Sequence, residues 1–382
     1  MSWRKEKLSN ICHMKTGKLD SNAAVPDGEF PFFTCAQETY RINIAAYDTE
    51  AVLLGGNNAA GIFPLKYYNG PFNAYQRTYI LESLDSSKLS TRFLYYALKP
   101  ALSLFQSASI GAATQYLTKP ILENFQISLP SIESQNKIVS ILSVYDDLIE
   151  NNRRRIQLLE EAARLLYQEW FVRLRFPGHE HAKIVDGVPE GWNYVSFPTI
   201  VDINPITKVD HGSKIRYIPM SALNEGLMII KHEDIEVREK PTNVKFKNND
   251  VLFARITPCL ENGKTSFVYY LDNSEVACGS TEFIVFRGKM VSPFFVYCLS
   301  RTHDFRENAI KSMIGSSGRQ RVQNSCFSEY SIMLAPQKIL DLFDSTIKPI
   351  FKQIEILDRE NQNLVKARDL LLPRLMNGVI PV

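Results

Sequence analysis

The 382-residue chain is short of the signatures that mark most enzymes and most secreted or membrane proteins. Its six cysteines, Cys12, Cys35, Cys259, Cys278, Cys298 and Cys326, are scattered and form no CxxC pair, as expected of free thiols in a reducing cytoplasm. No apolar run approaches the ~18 residues that a bilayer-spanning helix needs, and the start, MSWRKEKLSN, lacks the apolar stretch of a signal peptide. A cytoplasmic protein without a membrane partner is the expectation. No GxxxxGK followed by Ser or Thr occurs, so the ordinary nucleotide-driven motor is excluded. An (N/D)PP(Y/F/W) motif and a glycine-rich loop for S-adenosylmethionine are also missing. The nearest stretches, Leu54-Gly55-Gly56-Asn57-Asn58 and Asn204-Pro205-Ile206, do not fit. Asp250, Glu261 and Lys264 lack the alternate-residue spacing of a strand-borne nuclease site. Among the histidines (13, 179, 181, 211, 232, 303) only His179-Glu180-His181 has a metal-like spacing, and it reads as a solvated stretch. No metal site is expected.

A basic excess is also lacking. The net charge is +3; residues 1–130 carry 12 basic against 10 acidic side chains, and residues 179–335 carry 18 against 18. Charge therefore leaves nucleic acid undecided, and any binding face must come from local clustering.

What the chain does have is a repeat. Ile149–Tyr167 reads IENNRRRIQLLEEAARLLY, and Ile354–Leu372, 205 residues on, reads IEILDRENQNLVKARDLLL, with eight of 19 aligned pairs identical. Apolar positions alternate by four and three from Ile138 to Trp170 and again from Phe343 to Leu375, which is a heptad seam. The first seam covers 33 residues, roughly 50 Å of helix at ~1.5 Å per residue. Antiparallel pairing with Asn152 opposite Asn361 sets Ile149 on Leu364, Ile156 on Leu357, Ala163 on Ile350 and Trp170 on Phe343. The two amides then bond each other and fix the register. Arg368, opposite Tyr145, is expected to lean outward over the ring. Pro349 predicts a helix start at or just after it, and Asn377-Gly378 predicts the stop.

The segments before the helices repeat more weakly. Phe30-Pro31-Phe32-Phe33 aligns with Tyr217-Ile218-Pro219-Met220, and Val52-Leu53-Leu54 with Val251-Leu252-Phe253. A short helix, Phe93–Leu98, aligns with Phe294–Leu299, and a closing strand, Phe125–Leu129, with Tyr330–Leu334. Apolar strands punctuated by Gly, Asn and Pro predict α+β modules rich in strand. The expected organisation is a first module at 1–130, a central helix at 131–175, a linker at 176–190, a second module at 191–335 and a closing helix at 336–382. The fold class is α+β, two modules separated by two long antiparallel coiled-coil helices with an internal pseudo-twofold repeat.

This arrangement resembles the specificity subunit of type I restriction-modification systems over essentially the whole chain. The elements that carry the resemblance are ISLPSIESQNKIVSILSVYDDLIENNRRRIQLLEEAARLLYQEWF (127–171), LLLPRLMNGVI (370–380), and VLFARITPCLENGK (251–264) with GSTEF (279–283). The resemblance implies two target recognition domains, each reading one half of an asymmetric bipartite site in double-stranded DNA. It implies helices that set the spacer and dock two methyltransferase subunits, with a motor/nuclease restriction subunit joining for cleavage. The chain itself would be non-catalytic, and S-adenosylmethionine, ATP and Mg would sit on the partners. The alternatives are a coiled-coil protein-binding adaptor and a divergent site-specific nuclease.

Base edges in the major groove are matched best by Arg or Lys on guanine and Asn or Gln on adenine. The candidates are Asn57, Asn58, Gln76, Arg77 and Gln115 in the first module, and Arg255, Lys264, Ser280, Thr281, Arg319, Gln320 and Arg321 in the second. Gly111-Ala112-Ala113-Thr114-Gln115 and Gly315-Ser316-Ser317-Gly318-Arg319-Gln320 fall at matching places, where small residues let backbone approach phosphate. Lys15, Lys18 and Lys208 are candidate phosphate contacts, and Arg153-Arg154-Arg155 forms a charged helix face.

Overall fold

The computed structural model describes residues 3–58, 61–111, 114–209, 214–242, 244–272, 274–316 and 318–382. Ala112, Ala113, Ser317 and His211 lie outside these. The chain forms two compact units, residues 1–148 with 364–382, and residues 149–363. Each unit holds one strand-rich module and a length of each long helix.

In the first unit, a six-stranded sheet runs in the order Cys12–Thr16, Thr78–Ser83, Tyr47–Gly55, Leu65–Ala74, Phe30–Phe33, Tyr40–Ile42. Val52, Leu54 and Leu81 point into a core that also takes Phe93, Leu94 and Tyr96 of the helix Thr91–Leu98. Ala51, Leu53 and Ile80 alternate to the opposite face, where Phe33 and Phe72 cover them. Ser90 caps that helix by accepting from the Phe93 N–H at 3.3 Å.

The second unit repeats this frame. Val201–Ile203, Phe283–Gly288, Val251–Ala254 and Thr265–Phe267 form one sheet. Glu236–Arg238, Ile215–Ile218, Val276–Gly279 and Lys245–Lys247 form another. The registers agree with the repeat: Val52 pairs with Leu81, and Val251 with Phe286. A parallel step is kept too, Phe33 beside Ala74 and Ile218 beside Gly279. Ser292 caps Pro293–Ser300 as Ser90 caps its counterpart. Each module closes by pairing its first and last strands, Arg4–Lys7 with Gln126–Leu129 and Asn193–Ser196 with Ser331–Leu334.

The long helices are Ile132–Tyr167, followed by a π-helical turn at Gln168–Val172, and Gln337–Met376. Every seam position named from sequence is buried or half-buried. In the first unit Ile138 and Leu142 share a core with Leu372, Leu375 and Met376. In the second, Ile156, Ala163 and Trp170 share one with Phe343, Ile347, Ile354 and Leu357, and Trp170 meets Phe343 edge-on at 5.7 Å. In both, an early segment of one helix meets a late segment of the other, which is the antiparallel sense. No helix among the described residues is long and apolar enough to cross a membrane.

Three expectations about these helices need correction. Asn152 does not bond Asn361: its amide donates to Glu360 at 3.2 Å, and Asn361 Oδ1 is buried without a partner. A carboxylate one residue along outcompetes the second amide as acceptor, because charged hydrogen bonds are the stronger ones. Arg368 does not lean over Tyr145 but donates to Asp146 at 2.7 Å. Pro349 does not start the closing helix, which begins at Gln337 and runs through it. Pro349 and Ser345, whose carbonyl loses its helical donor, both lie on the exposed face, while Ile347 and Phe351 on either side are buried. Packing holds the turn, and the freed carbonyl faces water. The predicted stop is present: Gly378 takes φ +67°, and the Val379 N–H returns to the Arg374 carbonyl at 3.0 Å.

Each module is tied to helix carboxylates through tyrosine. Tyr96 donates to Asp146 at 2.6 Å. Tyr297, its counterpart, donates to Glu160, which also accepts the Met228 N–H at 2.7 Å. Tyr269 donates to Asp358 at 2.5 Å. The segment read as a linker is itself folded: Ile184–Val185 pairs with Val188–Pro189, and Phe176 packs on Trp192 with ring centres 5.1 Å apart.

Candidate nucleic-acid interface

The first-module candidates converge on one small backbone node. Asn57–Asn58 pairs antiparallel with Gln115–Tyr116, and Ile110 and Tyr116 exchange two backbone hydrogen bonds, at 3.1 and 2.8 Å. These bonds close the loop that Gly111 opens with φ +130°. A Cβ there would lie 2.0 Å from the Thr114 carbonyl oxygen, so glycine is required. Gly56 knits the node to the strand entry: its N–H donates to the Arg77 carbonyl at 2.8 Å, and its own carbonyl accepts from Leu117 at 2.9 Å. Gln115 is held inside the loop, donating to the Gly111 carbonyl at 2.7 Å and accepting from Ser109 at 3.0 Å. Asn57 Oδ1 is buried without a partner. Arg77 and its neighbour Gln76 are exposed, and the Arg77 guanidinium lies over the Tyr116 ring at 5.3 Å.

The second module builds the same node. Ile256 bridges Arg321 where Asn57 bridges Tyr116, and Ile314 and Arg321 exchange backbone bonds at 3.1 and 3.0 Å. Gly315 opens this loop with φ +140°. Arg255 takes the place of Gly56, its N–H donating to the Glu282 carbonyl at 2.9 Å and its carbonyl accepting from Val322 at 2.8 Å. By these bonds, position 282 corresponds to 77, and 321 to 116. The side chains differ in kind. Arg321 donates to both oxygens of Glu282, at 2.7 Å from Nη2 and 3.0 Å from Nε. That carboxylate pushes the guanidinium's pKa further up.

The remaining second-module candidates divide. Arg319 and Thr281 are exposed beside this node, and Arg319 makes no ion pair among the described residues. Gln320 is half-buried and held by its backbone, whose N–H donates to Thr257 Oγ1 at 3.0 Å. Ser280 accepts from the Glu282 N–H at 3.2 Å, shaping the turn. Arg255 and Lys264 spend their charges on carbonyls, Arg255 on Val322 at 2.7 Å and Lys264 on Met220 at 3.3 Å. Both are placed to brace the loops.

Two residues of the node escaped the residue-type search, Tyr116 and Glu282. Neither belongs to the residue types first expected at base edges. The signal that finds them is the alignment itself, since 77 and 116 shifted by 205 give 282 and 321. Of the proposed phosphate contacts, Lys15 is engaged with Glu82 at 2.9 Å, whereas Lys18 and Lys208 are exposed, as are Arg153, Arg154 and Arg155. Asp250 is fully buried and receives Arg287 through two bonds of 2.7 Å, so its carboxylate braces the sheet. No cluster of metal ligands occurs among the described residues.

Comparison with known proteins agrees with this duplicated design. Residues 2–161 and 190–366 match the model of the type I restriction modification DNA specificity domain. The specificity subunit of the type I restriction enzyme EcoDI from Escherichia coli is 28% identical over 298 residues, 68% of this chain and 63% of that protein. The MjaIX specificity subunit from Methanocaldococcus jannaschii is 26% identical over 314 residues, 76% of this chain and 69% of that protein. A crystal structure of a type I restriction-modification S subunit from M. genitalium superposes with a TM-score of 0.58 at 16% identity, covering 98% of this chain and 96% of that one, which speaks to the fold.

Proposed function

Because the chain belongs to the family of the type I restriction modification DNA specificity domain, we propose that it is the DNA sequence-specificity subunit of a type I restriction-modification complex. Each module reads one half of a bipartite, asymmetric site, and the paired helices set the spacer between the halves. The observation that carries this reading is the node built twice from the same backbone bonds and carrying different side-chain pairs, Arg77 on Tyr116 in one and Arg321 on Glu282 in the other. One scaffold presenting two chemistries is what a reader of two unlike half-sites requires, because base contacts specify while backbone contacts position. The chain contributes no catalytic group. Two methyltransferase subunits and a motor/nuclease subunit supply the chemistry, with S-adenosylmethionine, ATP and Mg bound on them.

The test is to co-express the chain with the methyltransferase subunit encoded beside it and map methylated bases across a host genome. An interrupted two-part motif is the expected result. A stable complex that methylates nothing would overturn the reading in favour of a protein-binding adaptor. Cleavage of DNA by the chain alone would revive the nuclease alternative.

A further inference from the structure

The correspondence of the two nodes goes a step further, and it rests on the reading of the chain as a sequence-specificity subunit. We infer that positions 77 with 116, and 282 with 321, are the matching specificity-determining positions of the two modules, each deciding one base pair of its half-site.

Equivalence is established by backbone, independently of side-chain type. In both modules the residue at 77 or 282 offers its carbonyl to the residue that follows the central strand, Gly56 or Arg255. The residue at 116 or 321 exchanges two bonds with the loop's far side, Ile110 or Ile314. Side chains at these positions are therefore delivered to the same place on the same frame. Within it, Arg77 and Arg321 are exposed, while Tyr116 and Glu282 are half-buried supports. An exposed arginine resting on a fixed partner has lost part of its rotamer freedom before any ligand arrives, which favours binding.

The supports then separate the two modules. Tyr116 restrains Arg77 without using its N–H groups, and no carboxylate pairs with it among the described residues. Its whole fork remains for the O6 and N7 acceptors of a guanine. Glu282 takes up Nε and one face of Nη2 of Arg321, and brings an acceptor to the same spot. The pair thus presents donor and acceptor together, which suits a G·C pair read on guanine and on the cytosine N4 amino group. A phosphate role fits this second node poorly, because the carboxylate repels a phosphate.

The experiment uses the full chain in complex with its methyltransferase subunit, and compares genome-wide methylation motifs of wild type, Arg77→Ala, Arg77→Lys and Glu282→Gln. Arg77→Ala should make one G·C position of one half-site degenerate, with roughly a tenfold or greater loss of discrimination there. The other half-site should be unchanged. Arg77→Lys should not rescue it, since lysine keeps the charge but not the fork. Glu282→Gln should relax one position in the opposite half-site only. A uniform fall in methylation with an unchanged motif, restored by Arg77→Lys, would show a phosphate contact and overturn the inference. So would motifs identical to wild type in all variants. A wild-type complex with no bipartite motif would instead overturn the specificity reading beneath it.

Discussion

The two modules solve one structural problem with different interiors. Just before the matched valines Val52 and Val251, the first module has Ala51, fully buried, where the second has Asp250, equally buried. Asp250 is neutralised by Arg287, whose counterpart, Glu82, pairs instead with Lys15 near the surface. The strand pairings around both are unchanged. Backbone pairing and apolar alternation thus define the fold, and charged pairs can be exchanged within it so long as each buried charge keeps its partner. The same rule operates at the nodes, where arginine over tyrosine in one module becomes arginine on glutamate in the other.

Breaking the buried pair is the harshest test of that comparison. Asp250→Ala should destabilise the protein by ~3–5 kcal/mol by leaving Arg287 without its partner, measured by denaturant unfolding. The double variant Asp250→Ala with Arg287→Met, which removes both charges, should recover most of the loss.

The tyrosine ties differ in depth. Tyr297→Phe leaves Glu160 buried with one bond fewer and should cost ~1.5–3 kcal/mol. Tyr96→Phe should cost less, because Asp146 keeps Arg368 at 2.7 Å and is partly exposed. Reversing that order would show that helix docking, not hydrogen bonding, dominates.

Burial also holds the Glu160 carboxyl above the ordinary glutamate value of 4.5. The folded chain therefore binds that proton more tightly than the unfolded one. Its contribution is fully present below the ordinary value and is lost as pH rises through the folded value. Glu160→Gln should accordingly gain stability relative to wild type as pH is raised from about 4.5 to about 7, followed by thermal melts at several pH values. A gain that grows on acidification would contradict the assignment.

The smallest effect separates the two seam asparagines. Asn361→Leu should stabilise by ~1 kcal/mol, since it removes a buried oxygen with no partner. Asn152→Leu should give less, because it also removes the bond to Glu360.

The seam and the matched strands were legible because both are periodic. A heptad marks Ile156, Ala163, Ile354 and Leu357 in the string of letters; a shift of 199 brings Val251–Phe253 onto Val52–Leu54, and one of 205 brings Tyr330–Leu334 onto Phe125–Leu129. What was not legible depended on competition between neighbours. Sequence offers Asn361 and Glu360 as equally near partners for Asn152, and only geometry chooses the carboxylate. Arg368 finding Asp146, and Pro349 tolerated on an exposed helix face, are decided by which side of the helix each occupies. At the interface, residue type pointed to Arg77 and Arg321 but not to Tyr116 or Glu282. Arg255 and Lys264 looked like readers and are spent on carbonyls, because a cation's availability is set by its surroundings.

The central claim is that two independent readers share one chain. The most direct measurement exchanges residues 1–130 for the corresponding module of another family member and maps the methylation motif of the resulting complex. The account predicts that one half-site changes while the other half-site and the spacer length stay as they were. A change in both halves, or in the spacer, would contradict it.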